Sequence, residues 1–122
     1  MNFNSLLIGS EDPGRLVEFY TKVFGEPSDK DDSYTSWRLG SGYVSVGPHS
    51  EVKGRNTSPG RLLWNLESPD VKGDAAKIKA AGATVVAEPY NFPDYPDYWI
   101  ATFADPDGNY FQLMTPMGSP EG

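Results

Sequence analysis

The sequence predicts an α+β fold in which two βαβββ modules form a curved mixed sheet with a cleft. Strand-like alternation recurs along the chain, two segments have helical spacing between capping residues, and the same order of elements restarts after a polar stretch at 49–60. Thirteen Gly and eleven Pro indicate many turns, which is typical of a sheet-rich fold with short connections. A length of 122 residues suits one domain, which we expect to span 1–122 with 49–60 as its internal linker.

The first module, at about 1–48, contains the more strongly marked helix. Asp12 is the predicted N-cap, Pro13 the first helical residue and Gly25 the stop. The buried stripe of this helix has the spacing i, i+3, i+4, i+7: Leu16, Phe19, Tyr20 and Val23. Strands are expected at about 3–9, 34–40 and 42–48.

The second module, at about 61–116, repeats this order with a diverged sequence. Asp70 is the predicted N-cap of its helix, which ends at Gly82. Strands are expected at about 61–67, 83–88, 98–104 and 109–115.

The second module has ten more residues between its helix and its closing strand than the first module has. We expect these additional residues to form a loop at 88–98. This region overlaps the segment NFPDYPDYW (91–99), in which aromatic rings alternate with Asp94 and Asp97. Aromatic faces and carboxylates attract planar or cationic groups, so the loop is a candidate ligand contact. The alternative is that its rings form a subunit interface or cap the sheet.

Composition and charge exclude several classes of function. The net charge of −7 argues against nucleic acid, because phosphate binding needs a basic face. No apolar run reaches the ~20 residues that span a bilayer, and the N-terminus lacks the basic region of a signal peptide. Without Cys there is no disulfide framework and no thiolate chemistry. We therefore expect a cytoplasmic protein that binds neither nucleic acid nor membrane.

Alternation within the strands separates two sheet faces. One face is apolar and is the predicted core: Leu6, Ile8, Trp37, Leu39, Val44, Val46, Leu62, Trp64, Leu66, Phe111 and Leu113. The other mixes aromatic, aliphatic and isolated polar groups: Ser5, Leu7, Ser36, Arg38, Tyr43, Ser45, Leu63, Asn65, Glu67, Tyr110, Gln112 and Met114. Such a mixture is typical of a ligand cleft, and a solvated or dimer-forming sheet face is the alternative.

Three features together resemble the vicinal oxygen chelate superfamily, which includes glyoxalase I, bleomycin resistance proteins and extradiol dioxygenases. They are the order βαβββ-βαβββ, the segment SEDPGRLVEFYTKVFG at 10–25 and the closing FADPDGNYFQLMTP at 103–116. The resemblance covers nearly the whole chain and implies the fold. It implies less about activity, because this scaffold supports many functions.

In metal-dependent members of this superfamily, the resemblance implies ligands at four positions, which here are Ser5, Ser45, Leu63 and Gln112. A divalent ion that binds vicinal oxygens needs imidazole or carboxylate ligands. Two hydroxyls, an isobutyl group and an amide do not supply them, and the single His, His49, lies in the polar linker. We therefore expect no metal and no cofactor, with Gln112 in the place of the family's metal-binding Glu.

The leading hypothesis is a metal-free small-molecule binding protein, resembling bleomycin resistance proteins, that sequesters an aromatic or cationic compound. The residues expected to line its cleft are Arg38, Tyr43, Asn65, Glu67, Trp99, Phe103, Tyr110 and Gln112. One alternative is a glyoxalase-like lyase, isomerase or dioxygenase whose metal site is atypical or completed by a partner chain. A second is a non-enzymatic protein-interaction module. By resemblance, we expect a homodimer.

Overall fold

Eight strands and two helices follow one another in the computed structural model of this chain, which describes residues 1–116. Their order is β1 (Ser5–Ser10), α1 (Pro13–Phe24), β2 (Asp29–Lys30), β3 (Thr35–Leu39), β4 (Gly42–Pro48), β5 (Trp64–Glu67), α2 (Val71–Ala80), β6 (Thr84–Phe92), β7 (Tyr95–Ala104) and β8 (Tyr110–Met114). A single 3-10 turn at Pro59–Arg61 precedes β5. The predicted class, α+β with two βαβββ modules, is confirmed.

The two modules have the same sheet topology. The first sheet has the order β1-β4-β3-β2 and the second the order β5-β8-β7-β6. In each sheet, the strand that precedes the helix pairs in parallel with the last strand of its module, and the remaining pairs are antiparallel. This shared topology is the structural counterpart of the internal duplication that the sequence predicts.

Both helices are entered through the same Ser-x-Asp turn. The Ser10 hydroxyl accepts the backbone N–H of Asp12 at 3.0 Å, and the Ser68 hydroxyl accepts that of Asp70 at 3.1 Å. Both serines are buried, so these bonds satisfy hydroxyls that would otherwise lose solvation on folding. The modules therefore share local side-chain chemistry as well as topology.

The two helix caps differ in detail. Asp70 accepts the backbone N–H of Gly73 at 3.0 Å, as an N-cap carboxylate does. Asp12 occupies the predicted N-cap position without a side-chain cap bond, and Pro13 supplies the favourable first residue instead. Gly25 and Gly82 follow the helices at positive φ, +92° and +108°, which side chains other than glycine rarely adopt.

Each module has its own apolar core between helix and sheet. The predicted stripe of α1 is buried, and its Tyr20 ring lies 6.2 Å from that of Trp37 on β3. The Trp37 indole also donates to the carbonyl of Gly25 at 2.9 Å, which fixes the end of the helix to the sheet. In the second module, Phe111 lies 5.6 Å from both Trp64 and Phe103, measured between ring centroids.

The prediction of a loop at 88–98 is wrong. β6 continues to Phe92 and β7 begins at Tyr95, so the additional residues extend a β-hairpin with a tight turn. The first module has only the two-residue strand β2 in the place of β6, and the sequence did not reveal β2 because so short a strand has no visible alternation. The difference between the modules is therefore one of strand length.

The predicted linker divides between the two compact units of the chain, Met1–Arg55 and a second that begins at Asn56. On the first side, the Gly54 backbone donates to the Glu11 carboxylate at 3.1 Å. On the second side, the Asn56 backbone donates to the carbonyl of Asp107 at 2.8 Å. The linker thus has a hydrogen bond to the module on each side, and the single domain over 1–122, whose last six residues lie outside the described part, stays a prediction. Within residues 1–116 no helix is both long and apolar enough to cross a membrane.

Candidate functional site

Each sheet has a helix face, against its own helix, and a distal face on the other side. Residues directly opposite one another on paired strands share a face, so the registers assign every strand residue to one of the two. Six of the eight predicted site residues lie on distal faces: Arg38 and Tyr43 in the first module, and Asn65, Glu67, Tyr110 and Gln112 in the second.

The centre of the second distal face is a row of three uncharged polar side chains, which we call the amide row. Gln112 on β8 lies opposite Asn65 on β5 and opposite Thr102 on β7. Its Nε2 donates to the Thr102 hydroxyl at 2.9 Å. This bond orients the amide, and it leaves Oε1 as the acceptor that Gln112 can offer to another molecule.

The rows on either side of the amide row are largely apolar. One contains Ile100 and Met114, with Glu67 at its end on β5. The other contains Ala104 and Tyr110. The face therefore combines neutral hydrogen-bonding groups with flat apolar surface, which is the usual composition of a small-molecule site.

The turn before β8 holds Tyr110 and Gln112 in this position. The buried carboxylate of Asp105 accepts the backbone N–H groups of Asp107 at 2.9 Å and Asn109 at 3.0 Å. Gly108 completes the turn at a φ of +83°, where a side chain would be strained. The DPDGN sequence thus fixes where β8 starts, and therefore on which face of the sheet each residue of that strand lies.

The distal face of the first sheet also contains uncharged polar groups. The hydroxyls of Ser36 and Ser45 lie opposite one another and hydrogen bond at 2.7 Å. In the next row, the Arg38 guanidinium carbon lies 5.8 Å from the centroid of the Tyr43 ring, and Arg38 Nε donates to the carbonyl of Gly40 at 3.3 Å. Both residues are exposed and sit on the face where the alternation predicts them.

The prediction that Trp99 and Phe103 line the same face as Gln112 is wrong. Phe103 lies opposite Phe111 and is 1% exposed, so it belongs to the core of the second module. Trp99 is four residues before Phe103 on β7 and therefore has the same parity, on the helix face. The ammonium of Lys72, on α2, lies 3.8 Å from the centroid of its indole ring, which places a cation of the chain itself on that ring.

Thr102 is the site residue that sequence reasoning missed. It lies on a strand that was predicted, and alternation alone pairs it with Ile100 and Ala104 on one face. The missing information was the register between β7 and β8, which determines that this face is the one carrying Gln112.

The positions that the resemblance assigns to metal ligands do not form a metal site. Leu63 is 41% exposed and has no donor atom, and the Ser45 hydroxyl is bonded to Ser36. Gln112 contributes one neutral oxygen, and none of the other three positions adds a carboxylate or an imidazole. Across the described residues 1–116, no three His, Cys, Asp or Glu side chains come close enough together to hold an ion.

Solved structures with the same fold come from several bacteria. A glyoxalase/bleomycin resistance protein/dioxygenase family enzyme from Burkholderia phytofirmans PsJN has a TM-score of 0.73 at 22% identity, over 93% of this chain and 98% of its own. A glyoxalase-related enzyme from Fulvimarina pelagi has a TM-score of 0.76 at 17% identity, over 97% and 93%. TioX from Micromonospora sp. ML1 has a TM-score of 0.71 at 19% identity, over 96% and 100%. Identities this low show the fold alone.

No curated protein matches the sequence significantly. A family model described as glyoxalase-like domain matches residues 5–114, from the start of β1 to the end of β8. The match includes both modules and the DPDGN turn between β7 and β8. This chain belongs to the glyoxalase-like domain family.

Proposed function

We propose that this protein is a metal-independent small-molecule binding protein that holds an aromatic compound on the distal face of its second module and leaves it chemically unchanged. The observation that carries the proposal is the amide row, where Gln112 is hydrogen bonded to Thr102 rather than presenting a carboxylate. The protein keeps the framework of a family whose members include enzymes by name, but with neutral groups at the positions implied for metal ligands.

The chemistry of these side chains supports binding over catalysis. An amide and a hydroxyl that already hydrogen bond to one another are poor proton-transfer groups at neutral pH. The same groups, flanked by Ile100, Met114 and Tyr110, orient a ligand well. The Trp99 ring is already in contact with the Lys72 ammonium, so it is not evidence for a positively charged ligand. We therefore restrict the proposed ligand class from aromatic or cationic compounds to aromatic compounds.

The first test is the metal content of the purified protein together with thermal unfolding across a series of divalent ions. A metal that binds only the folded state raises Tm with concentration through linkage. We expect no stoichiometric metal and no concentration-dependent rise in Tm. Stoichiometric metal with a clear rise would overturn metal independence and favour a glyoxalase-like enzyme instead.

The second test is binding itself, measured by NMR with a set of small aromatic compounds. We expect shifts in the side-chain amide signals of Asn65 and Gln112, which mark the distal face. Compounds that shift only signals of exposed hairpin residues such as Phe92 and Tyr95 would contradict the location. Absence of any shift on the distal face would contradict the function and favour the protein-interaction alternative.

The proposal extends to assembly and location, which we take to be a homodimer in the cytoplasm. The resemblance to single-chain members of the superfamily supports the dimer, and the absence of Cys from the sequence fits a reducing compartment. Light scattering after size-exclusion chromatography tests the dimer directly. A monomer at all concentrations would contradict it.

A further inference from the structure

We propose that the amide row selects ligands with a lactam edge, meaning a ring N–H next to a ring carbonyl. This inference rests on the proposed function and names the ligand class of that site. It follows from which hydrogen-bonding atoms of Asn65 and Gln112 are already used and which are not.

The first step concerns Gln112. Its Nε2 donates to Thr102, so the group it presents to a ligand is the acceptor Oε1. Gln112 forms its side-chain hydrogen bond through Nε2, so Oε1 has no partner among the described residues. Every fully buried side-chain oxygen or nitrogen of these residues does have a partner, which means that Oε1 is not fully buried. This oxygen is therefore accessible from the distal face, where it can accept an N–H.

The second step concerns Asn65. Its side chain is exposed, and none of residues 1–116 forms a hydrogen bond with it. It lies directly opposite Gln112 on the neighbouring parallel strand, roughly 4.8 Å away across the sheet. Its amide nitrogen can therefore donate to a carbonyl while Gln112 accepts the adjacent N–H. In DNA recognition a single Asn or Gln amide reads a donor and an adjacent acceptor of adenine, and here the two functions are divided between two amides.

The third step is charge. The three members of the amide row are neutral, and an anionic ligand group placed among them would lose hydration without gaining a counter-ion. Glu67 lies on the same face two residues after Asn65, where it disfavours an anionic ligand. A lactam is neutral and satisfies both amides at once, which neither a carboxylate nor an ammonium group does.

The fourth step is shape. Strand residues two apart on one face are separated by about 6.7 Å, close to the width of a six-membered ring. A ring lying against Ile100 and Met114 therefore reaches the amide row with its edge. The Met114 thioether also makes favourable contacts with aromatic rings. The row and its apolar neighbour together fit a flat bicyclic lactam.

The experiment compares three isoquinoline derivatives by NMR titration of the full chain. Isoquinolin-1(2H)-one has the complete lactam edge, its N-methyl derivative lacks the N–H donor, and isoquinoline lacks the carbonyl as well. We expect the first to bind about 3- to 10-fold more tightly than its N-methyl derivative, which loses one net hydrogen bond, and about 10- to 100-fold more tightly than isoquinoline, which loses two. The amide signals of Asn65 and Gln112 should shift most.

Two variants test the assignment to the amide row. Asn65→Ala removes an exposed side chain, and Gln112→Met keeps a similar side-chain volume at a half-buried position while removing its acceptor. Gln112→Met should abolish the preference for the lactam over its N-methyl derivative, and Asn65→Ala should reduce the preference of both carbonyl compounds over isoquinoline. Asn4→Ala, which removes an exposed Asn of the first module, is the matched control and should retain both preferences.

The outcomes separate the inference from the function on which it rests. Equal affinity for all three compounds, with shifts on the distal face, would overturn the lactam inference and leave the binding function intact. A lactam preference that survives in both Asn65→Ala and Gln112→Met would also overturn it. If none of the compounds shifts any signal on the distal face, both proposals fail.

Discussion

The ammonium of Lys72 lies 3.8 Å from the centroid of the Trp99 indole, so the start of α2 contacts the middle of β7 through a cation and an aromatic ring. Such contacts contribute about 0.5–1 kcal/mol at exposed positions. We therefore expect the Trp99 ring to stabilise the second module rather than to contact the ligand.

We expect a coupling of about 0.5–1 kcal/mol between these two side chains. The measurement is a double-mutant cycle of Lys72→Met and Trp99→Leu by urea unfolding, which cancels the separate effects of each change on helix and strand. A second cycle with Lys77→Met in place of Lys72→Met serves as control, because Lys77 is an exposed lysine on the same helix. Zero coupling in the first cycle would contradict the contact.

Gly73→Ala should destabilise the protein although alanine favours helices. A Cβ at Gly73 would lie 2.8 Å from the carboxyl carbon of Asp70, so this carboxylate must shift away from the position in which it accepts the backbone N–H of Gly73. Loss of a cap costs about 0.5–2 kcal/mol, against a propensity gain of about 1 kcal/mol or less.

The matched control for Gly73→Ala is Gly14→Ala in the other helix. A Cβ at Gly14 would meet Asp12 only at an ordinary 3.8 Å, and Asp12 makes no side-chain cap bond. We therefore expect Gly14→Ala to be neutral or stabilising by up to about 1 kcal/mol. Chemical denaturation measures both, and the prediction is wrong if Gly73→Ala is the more stable of the two.

Gly47→Ala should destabilise the first module because Tyr34 covers Gly47. A Cβ there would overlap one edge of the Tyr34 ring and lie 2.9 Å from the carbonyl oxygen of Ser33. Overpacking of this kind costs typically about 1–3 kcal/mol. Gly60→Ala has nothing within 4 Å of its Cβ and is the control. A Tm equal to that of the unmutated protein for Gly47→Ala would show that the ring moves aside freely.

Asp31 makes the stability of the first module sensitive to acid. Its carboxylate accepts the backbone N–H groups of Tyr34 and Ser33, both at 2.8 Å, and these bonds, Tyr34 first, hold the pKa of Asp31 below its usual 3.8. A lowered pKa in the folded state means that stabilisation is complete above pH 3.8 and is lost as pH falls through the folded-state pKa.

The Tm difference between the unmutated protein and Asp31→Asn should therefore be constant at neutral pH and shrink below pH 3.8. Asp32→Asn removes the same charge from the next residue, which forms no such turn, and is the control. A difference that grows on acidification would refute this account.

Much of the fold is determined by local sequence. Helix α1 begins and ends where expected, at Asp12, Pro13 and Gly25, and its four stripe residues are all buried. Caps, turns and 3.6-residue periodicity act between residues close in the chain, so they are legible without tertiary structure. The DPDGN turn likewise sets the parity of β8, which is why the sequence alone places Gln112 on the distal face.

Tertiary structure decided what depends on strand register. Phe103 and Trp99 lie on the helix face because β7 pairs with β8 so that Phe103 is opposite Phe111, and a shift of one residue would have reversed both. The hairpin at 84–104 and the short strand β2 also arise from pairing with strands elsewhere in the chain.

The candidate site shows the same division. The sequence by itself determined that a neutral amide stands where the family resemblance implies a carboxylate. Only the paired strands brought Thr102 and Asn65 to either side of Gln112. The physical reason is that hydrogen bonding between strands up to 47 residues apart selects the register, and no local pattern reports which residues will meet.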